Sequence, residues 1–222
     1  MLFLSALLFP LTAMAQSSNE KSLDQTFDAD TTLKETVTVG SRQSGNKLVW
    51  EIKPGVTVKM DSHDGAQILS AMRPGPFEFV IKGGGTLYSR RVKEYGIRLG
   101  HAIDKHDNIY GGPCTFIIEE GCTAQFDTEI AIYPSGGNIQ LKGPGSRLLI
   151  LSTNSYNSID TKESILKTRH HYGSKGVGPI TINGKPIQVD GPDANAVYAL
   201  VRVEGVIYHS LKALPSESDE KK

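Results

Sequence analysis

The sequence predicts an all-β, single-domain β-solenoid with loop insertions, and three observations carry that reading. Twenty-three Gly and 11 Pro are scattered along the 222-residue chain between short β-branched runs, the pattern of a protein with many corners. Five segments repeat one order of residues: a short apolar strand, a Lys or Glu, a Gly-containing corner, then another short strand. Each such unit is too short to bury its own apolar face, so stacking is what gives the set a continuous core. An antiparallel β-sandwich is the alternative, because apolar–turn–apolar also describes hairpins.

Taken in chain order, residues 1–15 (MLFLSALLFPLTAMA) come first. An apolar run from Leu2 to Leu11 leads into Ala13-Met14-Ala15, the small residues of a signal-peptidase site. The run is too short to span a bilayer, so it predicts export to the periplasm or beyond, with cleavage between Ala15 and Gln16. No Lys or Arg precedes the run, which leaves a mis-set start site open. Residues 16–35 are polar and aperiodic, and read as a flexible leader. Thr36-Val37-Thr38-Val39 is the first predicted strand and opens a domain over 36–214. Residues 215–222 (PSESDEKK) read as a solvated tail.

The five units are WEIKPGVTVKM from Trp50, FVIKGGGTLYS from Phe79, FIIEEGCTAQF from Phe116, IQLKGPGSRLLI from Ile139 and ITINGKPIQV from Ile180. Ile52, Ile81 and Ile118 hold one place in the first three, followed by Lys53, Lys82 and Glu119. The corner glycines are Gly55, Gly84 and Gly121, with Thr57, Thr86 and Thr123 at a fixed offset. Lys142, Gly143, Gly145 and Ser146 continue the register in the fourth unit. The fifth is also readable as a hairpin, because Asn183-Gly184 is the strongest two-residue hairpin signal. Equivalent apolar positions (52, 81, 118, 141, 182) lie 29, 37, 23 and 41 residues apart, so this is a coil with insertions rather than a strict repeat. Trp50 reads as a core residue.

These segments resemble a known superfamily. "IKPGVTVKMDSHDGAQIL" followed by "GPFEFVIKGGGTLYSRR" is similar to the opening rungs of the pectin-lyase-like right-handed parallel β-helix, where "PxGVTL", "GAxL" and "IxGGGTI" strands follow one another. The match is best over Trp50–Ser89 and weaker over Thr115–Ile150. The resemblance implies a right-handed parallel β-helix-like architecture and is nearly silent on activity, since it rests on core and corner residues. The polygalacturonase signatures (Asn-Thr-Asp, Asp-Asp, Gly-His-Gly, Arg-Ile-Lys) do not occur in the chain, nor does an obvious row of Asp ligands for calcium.

Composition narrows the partners. Lys plus Arg equals Asp plus Glu at 24 each, so no global field recruits nucleic acid or anionic membrane. No second apolar segment has spanning length, and no residue pattern calls for a cofactor or a metal. In an exported chain Cys114 and Cys122 are candidates for a disulfide. If the chain runs straight between them they lie about 26 Å apart, against a limit of about 7 Å for a bridge. A disulfide and a pair of buried thiols both stay open.

Two polar insertions carry the candidate chemistry. Gly100–Gly112 (GHAIDKHDNIYGG) gathers His101, Asp104, His106, Asp107 and Tyr110, groups suited to acid–base work, although their spacing matches no metal pattern and also suits a solvated loop. Lys167–Lys175 (KTRHHYGSK) sets Arg169, His170, His171 and Lys175 around Tyr172; guanidinium pairs with carboxylate and the ring stacks on a sugar face, which suits an acidic glycan. Asp190-Gly191-Pro192-Asp193 reads as a turn. Together these predict an exported, non-catalytic protein of the envelope or extracellular space, whose partner is a glycan or another exported protein. The alternatives are a polysaccharide lyase or glycoside hydrolase with a divergent site, and a structural subunit of a surface assembly.

Overall fold

The computed structural model describes residues 24–42, 44–61, 67–90, 97–100, 102–103, 109–127, 136–152 and 180–216. Every regular element among them is a strand. The first three are β1 (Gln25–Phe27), β2 (Thr31–Leu33) and β3 (Val37–Val39), followed by β4 (Lys47–Ile52), β5 (Thr57–Asp61) and β6 (Ile68–Ser70). Next come β7 (Phe77–Lys82), β8 (Thr86–Arg90), β9 (Ile97–Arg98) and the small hairpin β10 (Ala102–Ile103) and β11 (Ile109–Tyr110). After it run β12 (Cys114–Ile118), β13 (Thr123–Phe126), β14 (Gly137–Leu141) and β15 (Arg147–Leu151). The chain closes with β16 (Ile180–Ile182), β17 (Lys185–Pro186), β18 (Ala196–Val203) and β19 (Val206–Ala213).

The chain deals β1–β9 out to three sheets in rotation, β10 and β11 pair only with each other, and β12–β16 alternate between two of the three. The first sheet has the order β1-β4-β7-β12-β14-β16-β17, the second β18-β19-β15-β13-β8-β5-β2, and the third β3-β6-β9. Each pair formed by successive visits to a sheet, up to β16, is parallel. Antiparallel pairing, which the sandwich alternative required throughout, is confined to the β10–β11 hairpin and the C-terminal part of the chain. There β19 adds to β15, β18 to β19, and β17 to β16.

One expectation needs correction at the start of the domain. Residues 25–33, read from the sequence as leader, form β1 and β2, parallel to β4 and β5. Three-residue strands are too short to display an alternation, which is why the sequence hides them. Phe27 docks edge-on against Trp50 at 5.4 Å between ring centroids. The carboxylates of Asp24 and Asp30 accept the N–H groups of Val49 and Thr57, each at 2.8 Å, extending the ladders where the short strands run out.

The apolar ladder is largely as the sequence aligns it. Ile81, Ile118, Leu141 and Ile182 stand in register on β7, β12, β14 and β16. The first position differs: Trp50, not Ile52, faces Ile81. A shift of two residues leaves every side chain on its own face, so the alternation cannot report it. Ile52 lies over the next corner instead. A Cβ on Gly85 would collide with an Ile52 methyl group and come within 2.6 Å of the Lys53 carbonyl oxygen, and one on Gly83 would meet the Ile52 carbonyl oxygen at 2.7 Å. The glycine run at 83–85 is what lets the wider first corner overlap the second.

Further along, Thr57, Thr86 and Thr123 stack as expected, but Arg147 rather than Ser146 follows Thr123. The corner holding Pro144 is one residue longer than its predecessor, and Ser146 turns inward to donate to the Gly143 carbonyl at 2.8 Å. The Lys/Glu position also acquires a reason. Glu51 stands beside Lys82 in register and Glu119 lies 3.6 Å from Lys142, so successive strands carry opposite charge.

Inside, Phe27, Trp50, Phe79 and Phe116 form one aromatic ladder, with further centroid separations of 5.1 and 5.0 Å. Trp50 is wholly buried, as the sequence reading has it. The fifth unit proves to be both things the sequence allowed. Strand β16 stacks parallel on β14, and Asn183 (φ 49°) with Gly184 (φ 76°) then reverses the chain into β17.

Candidate functional site

The residues singled out in the two polar insertions, His101, Asp104, His106 and Asp107 in the first and Arg169, His170, His171, Tyr172 and Lys175 in the second, lie outside the described residues. Asp190–Asp193 is described and is a turn, closed by the Ala194 N–H on the Gly191 carbonyl at 3.2 Å. Cys114 and Cys122 are both free and buried. Strand β12 runs straight from Cys114 to Ile118, so the two thiols fall on either side of a strand length. The Cys122 sulfur accepts the Gly84 N–H at 3.1 Å.

What the described residues do bring together is polar chemistry on the outer face of the second sheet. Outward positions follow from alternation: in β5, β8 and β13 the buried side chains are Val58 and Met60, Leu87 and Ser89, and Ala124 and Phe126. Their neighbours Lys59, Tyr88 and Gln125 form one outward row across the strands, and Asp61 and Arg90 begin the next. Asp127 continues that second row, its N–H donating to the Ser89 carbonyl at 3.0 Å.

Asp127 is the hub. The Tyr88 hydroxyl donates to one carboxylate oxygen at 2.5 Å and the Tyr208 hydroxyl, from β19, donates to the other at 2.6 Å. The Gln125 amide in turn donates to the Tyr208 oxygen at 2.9 Å. Burial, reinforced by the bond to Asp127, pushes both phenols well above the ordinary tyrosine range; the Gln125 bond offsets a little of this at Tyr208. Both tyrosines are therefore neutral hydrogen-bond donors across the physiological range. Beside them, Lys59 and Asp61 form an ion pair at 3.1 Å. Tyr208 is buried, while Tyr88, Gln125 and Asp127 are half-buried.

The sequence holds no local signal for this cluster, because its members come from three strands and Tyr208 lies 81 residues from Asp127. Only the register joins them. The alignment of Thr57, Thr86 and Thr123 does place Lys59, Tyr88 and Gln125 in one row two residues on, but it says nothing of Asp127 meeting Tyr208. Among the described residues no three His, Cys, Asp or Glu side chains converge as a metal site, and no helix is long and apolar enough to cross a membrane. Comparison with protein-family models, curated proteins and solved structures finds no match to the chain.

Proposed function

We propose that the chain is an exported, parallel β-helix-like coil that binds a glycan across the outer face of its second sheet. The coil reading is supported by the repeated visits to three sheets with parallel pairing, and the earlier resemblance is kept for architecture alone. The glycan reading rests on one observation: two tyrosine hydroxyls, one of them held by the Gln125 amide, organise the Asp127 carboxylate on a face that also carries Lys59, Asp61, Arg90 and a row of threonines. A carboxylate held this way accepts hydrogen bonds from sugar hydroxyls without having to reorganise, and the half-buried Tyr88 ring offers a stacking face.

The test uses mature protein from Gln16 against a panel of acidic and neutral polysaccharides, read for retention and for new reducing ends or unsaturated products. Asp127→Asn should weaken retention by roughly 10- to 100-fold, the equivalent of a hydrogen bond to a charged group at about 1.5–3 kcal/mol. Retention unaltered by that substitution would remove the site from consideration.

An enzymatic reading has one specific observation behind it. Asp61, Arg90 and Asp127 form a single row across three strands, which sets the two aspartates about 9.6 Å apart along the sheet, near the separation used by inverting glycosidases. Against it, each carboxylate is already engaged, Asp61 by Lys59 and Asp127 by two phenols. New reducing ends that vanish in Asp61→Asn would favour catalysis over binding. If neither retention nor cleavage appears, a structural subunit becomes the leading reading.

A further inference from the structure

The same face carries a second feature, at the corner end of its strands. Arg147 on β15 stands directly opposite Lys212 on β19. The Ala213 N–H donates to the Ser146 carbonyl at 2.9 Å and the Ser152 N–H to the Ile207 carbonyl at 3.1 Å, so the even-numbered positions of β15 are the hydrogen-bonded ones. Arg147 and Lys212 therefore occupy a non-hydrogen-bonded pair, where side chains come closest, with Cα atoms about 4.5 Å apart. Their neighbours Leu148 and Leu211 point inward and are buried, so both cations point outward.

Two like charges in that position oppose one another. Three other cations of the sheets are offset: Lys47 by Glu78, Lys59 by Asp61, Lys142 by Glu119. Among the described residues no carboxylate is within ion-pair distance of Arg147 or Lys212, and the Arg147 Nε is buried without a hydrogen-bond partner. Leading up to the pair, Thr57, Thr86, Thr123 and Arg147 stack in register, so a row of three hydroxyl-bearing residues ends in two cations.

We infer that Arg147 and Lys212 form an anion-binding site, and that the glycan carried by this face bears an oxyanion group, a carboxylate or a sulfate ester. The inference rests on the glycan-binding reading and supplies its polarity. The anionic group sits between the guanidinium and the ammonium, the Thr row faces sugar hydroxyls across the strands, and Asp127 accepts hydroxyl donors at the other end of the face. Thr123 and Asp127 are separated by about 13 Å at strand rise, so one ligand of a few sugar units reaches both. An occupied site also removes the repulsion that the empty pair leaves in place.

The experiment measures retention of the full mature protein on three polymers with one backbone: hydroxyethyl cellulose, carboxymethyl cellulose and cellulose sulfate. The expected result is retention at least about ten-fold stronger on a charged polymer than on the neutral one, with the preferred polymer identifying carboxylate or sulfate as the group bound. Lys212→Gln, at an exposed position that should not disturb folding, lowers retention on the charged polymers about ten-fold and leaves the neutral one unchanged. Lys212→Arg restores it. Lys142→Gln, which removes the same charge from the first sheet, has no effect. Equal retention of neutral and charged polymers, or Lys212→Gln behaving like Lys142→Gln, overturns the anion site and leaves the glycan reading standing. Absence of retention on all three and on the wider polysaccharide panel overturns both.

Discussion

The aromatic ladder makes the sharpest demand on the stacked-strand description. Phe79 is wholly buried between two aromatic neighbours, edge-on to Trp50 (5.1 Å, 88°) and stacked on Phe116 (5.0 Å, 12°). Phe27, at the start of the ladder, is 7% exposed and meets Trp50 alone among described aromatic rings. Phe79→Ala should cost about 3–5 kcal/mol, the usual range for deleting a buried ring. Phe79→Leu keeps most of the apolar volume and isolates the ring contribution: two aromatic pairs at about 0.5–1.5 kcal/mol each, plus up to about 1.5 kcal/mol for imperfect repacking. Phe27→Leu loses one pair and should cost about half as much. Urea unfolding of the mature protein, followed by tryptophan fluorescence and far-UV circular dichroism, gives these differences provided the m-value stays constant. Equal costs for Phe27→Leu and Phe79→Leu, or a cost under about 1 kcal/mol for Phe79→Ala, would refute the ladder.

The other expectations are briefer. Gly85→Ala places a methyl group against the Ile52 side chain and the Lys53 carbonyl, and should lower stability by about 1–3 kcal/mol in the same unfolding assay; a neutral result would mean that the corners do not overlap as described. Non-reduced native protein should expose almost no thiol to Ellman's reagent, and the denatured chain two; denatured protein with none would require a disulfide. Burial pushes the Cys114 thiol up to about 12, with part of that shift cancelled by a backbone hydrogen bond from Phe79, and the Tyr88 and Tyr208 phenols are also raised. In the unfolded chain these groups lose protons near pH 8.5 and 10, where the folded chain still holds them. Stability is therefore full below about pH 8.5 and declines as pH rises towards 12, by about 1.4 kcal/mol per pH unit for the thiol alone. Tyr88→Phe should flatten the part of the decline above pH 10, and a stability flat from pH 8 to 11 would contradict the burial of Cys114.

Much of the architecture is legible in the residues because it rests on local chemistry. Alternation in Lys47–Ile52 and Thr57–Asp61 reports which side chains face inward, and Gly55 and Gly121 occupy the left-handed backbone region their corners require, at φ 79° and 70°. Asn183-Gly184 announces its hairpin for the same reason. The leader is where local reasoning fails: Phe27 and the two capping aspartates are stabilised by contacts some 25 residues away in the chain. The candidate site fails it more completely. The sequence directs attention to histidine-rich insertions, whereas Tyr88, Asp127 and Tyr208 look unremarkable in their own neighbourhoods.

The sequence by itself determined the strand composition, the inward faces, the corner positions and the relative order of four of the five apolar rungs, since each depends on residues within a few positions of one another. The tertiary structure alone decided the exact register at the first rung and at the fourth corner, and the contacts made across the sheets. It moved the first apolar pairing by two residues and the fourth corner by one, and it set Arg147 against Lys212 and two phenols on one carboxylate. The physical reason is that a two-residue slip preserves the alternation and a one-residue slip is absorbed in a glycine corner. Local pattern is indifferent to both, and only the packing of one strand against the next tells them apart.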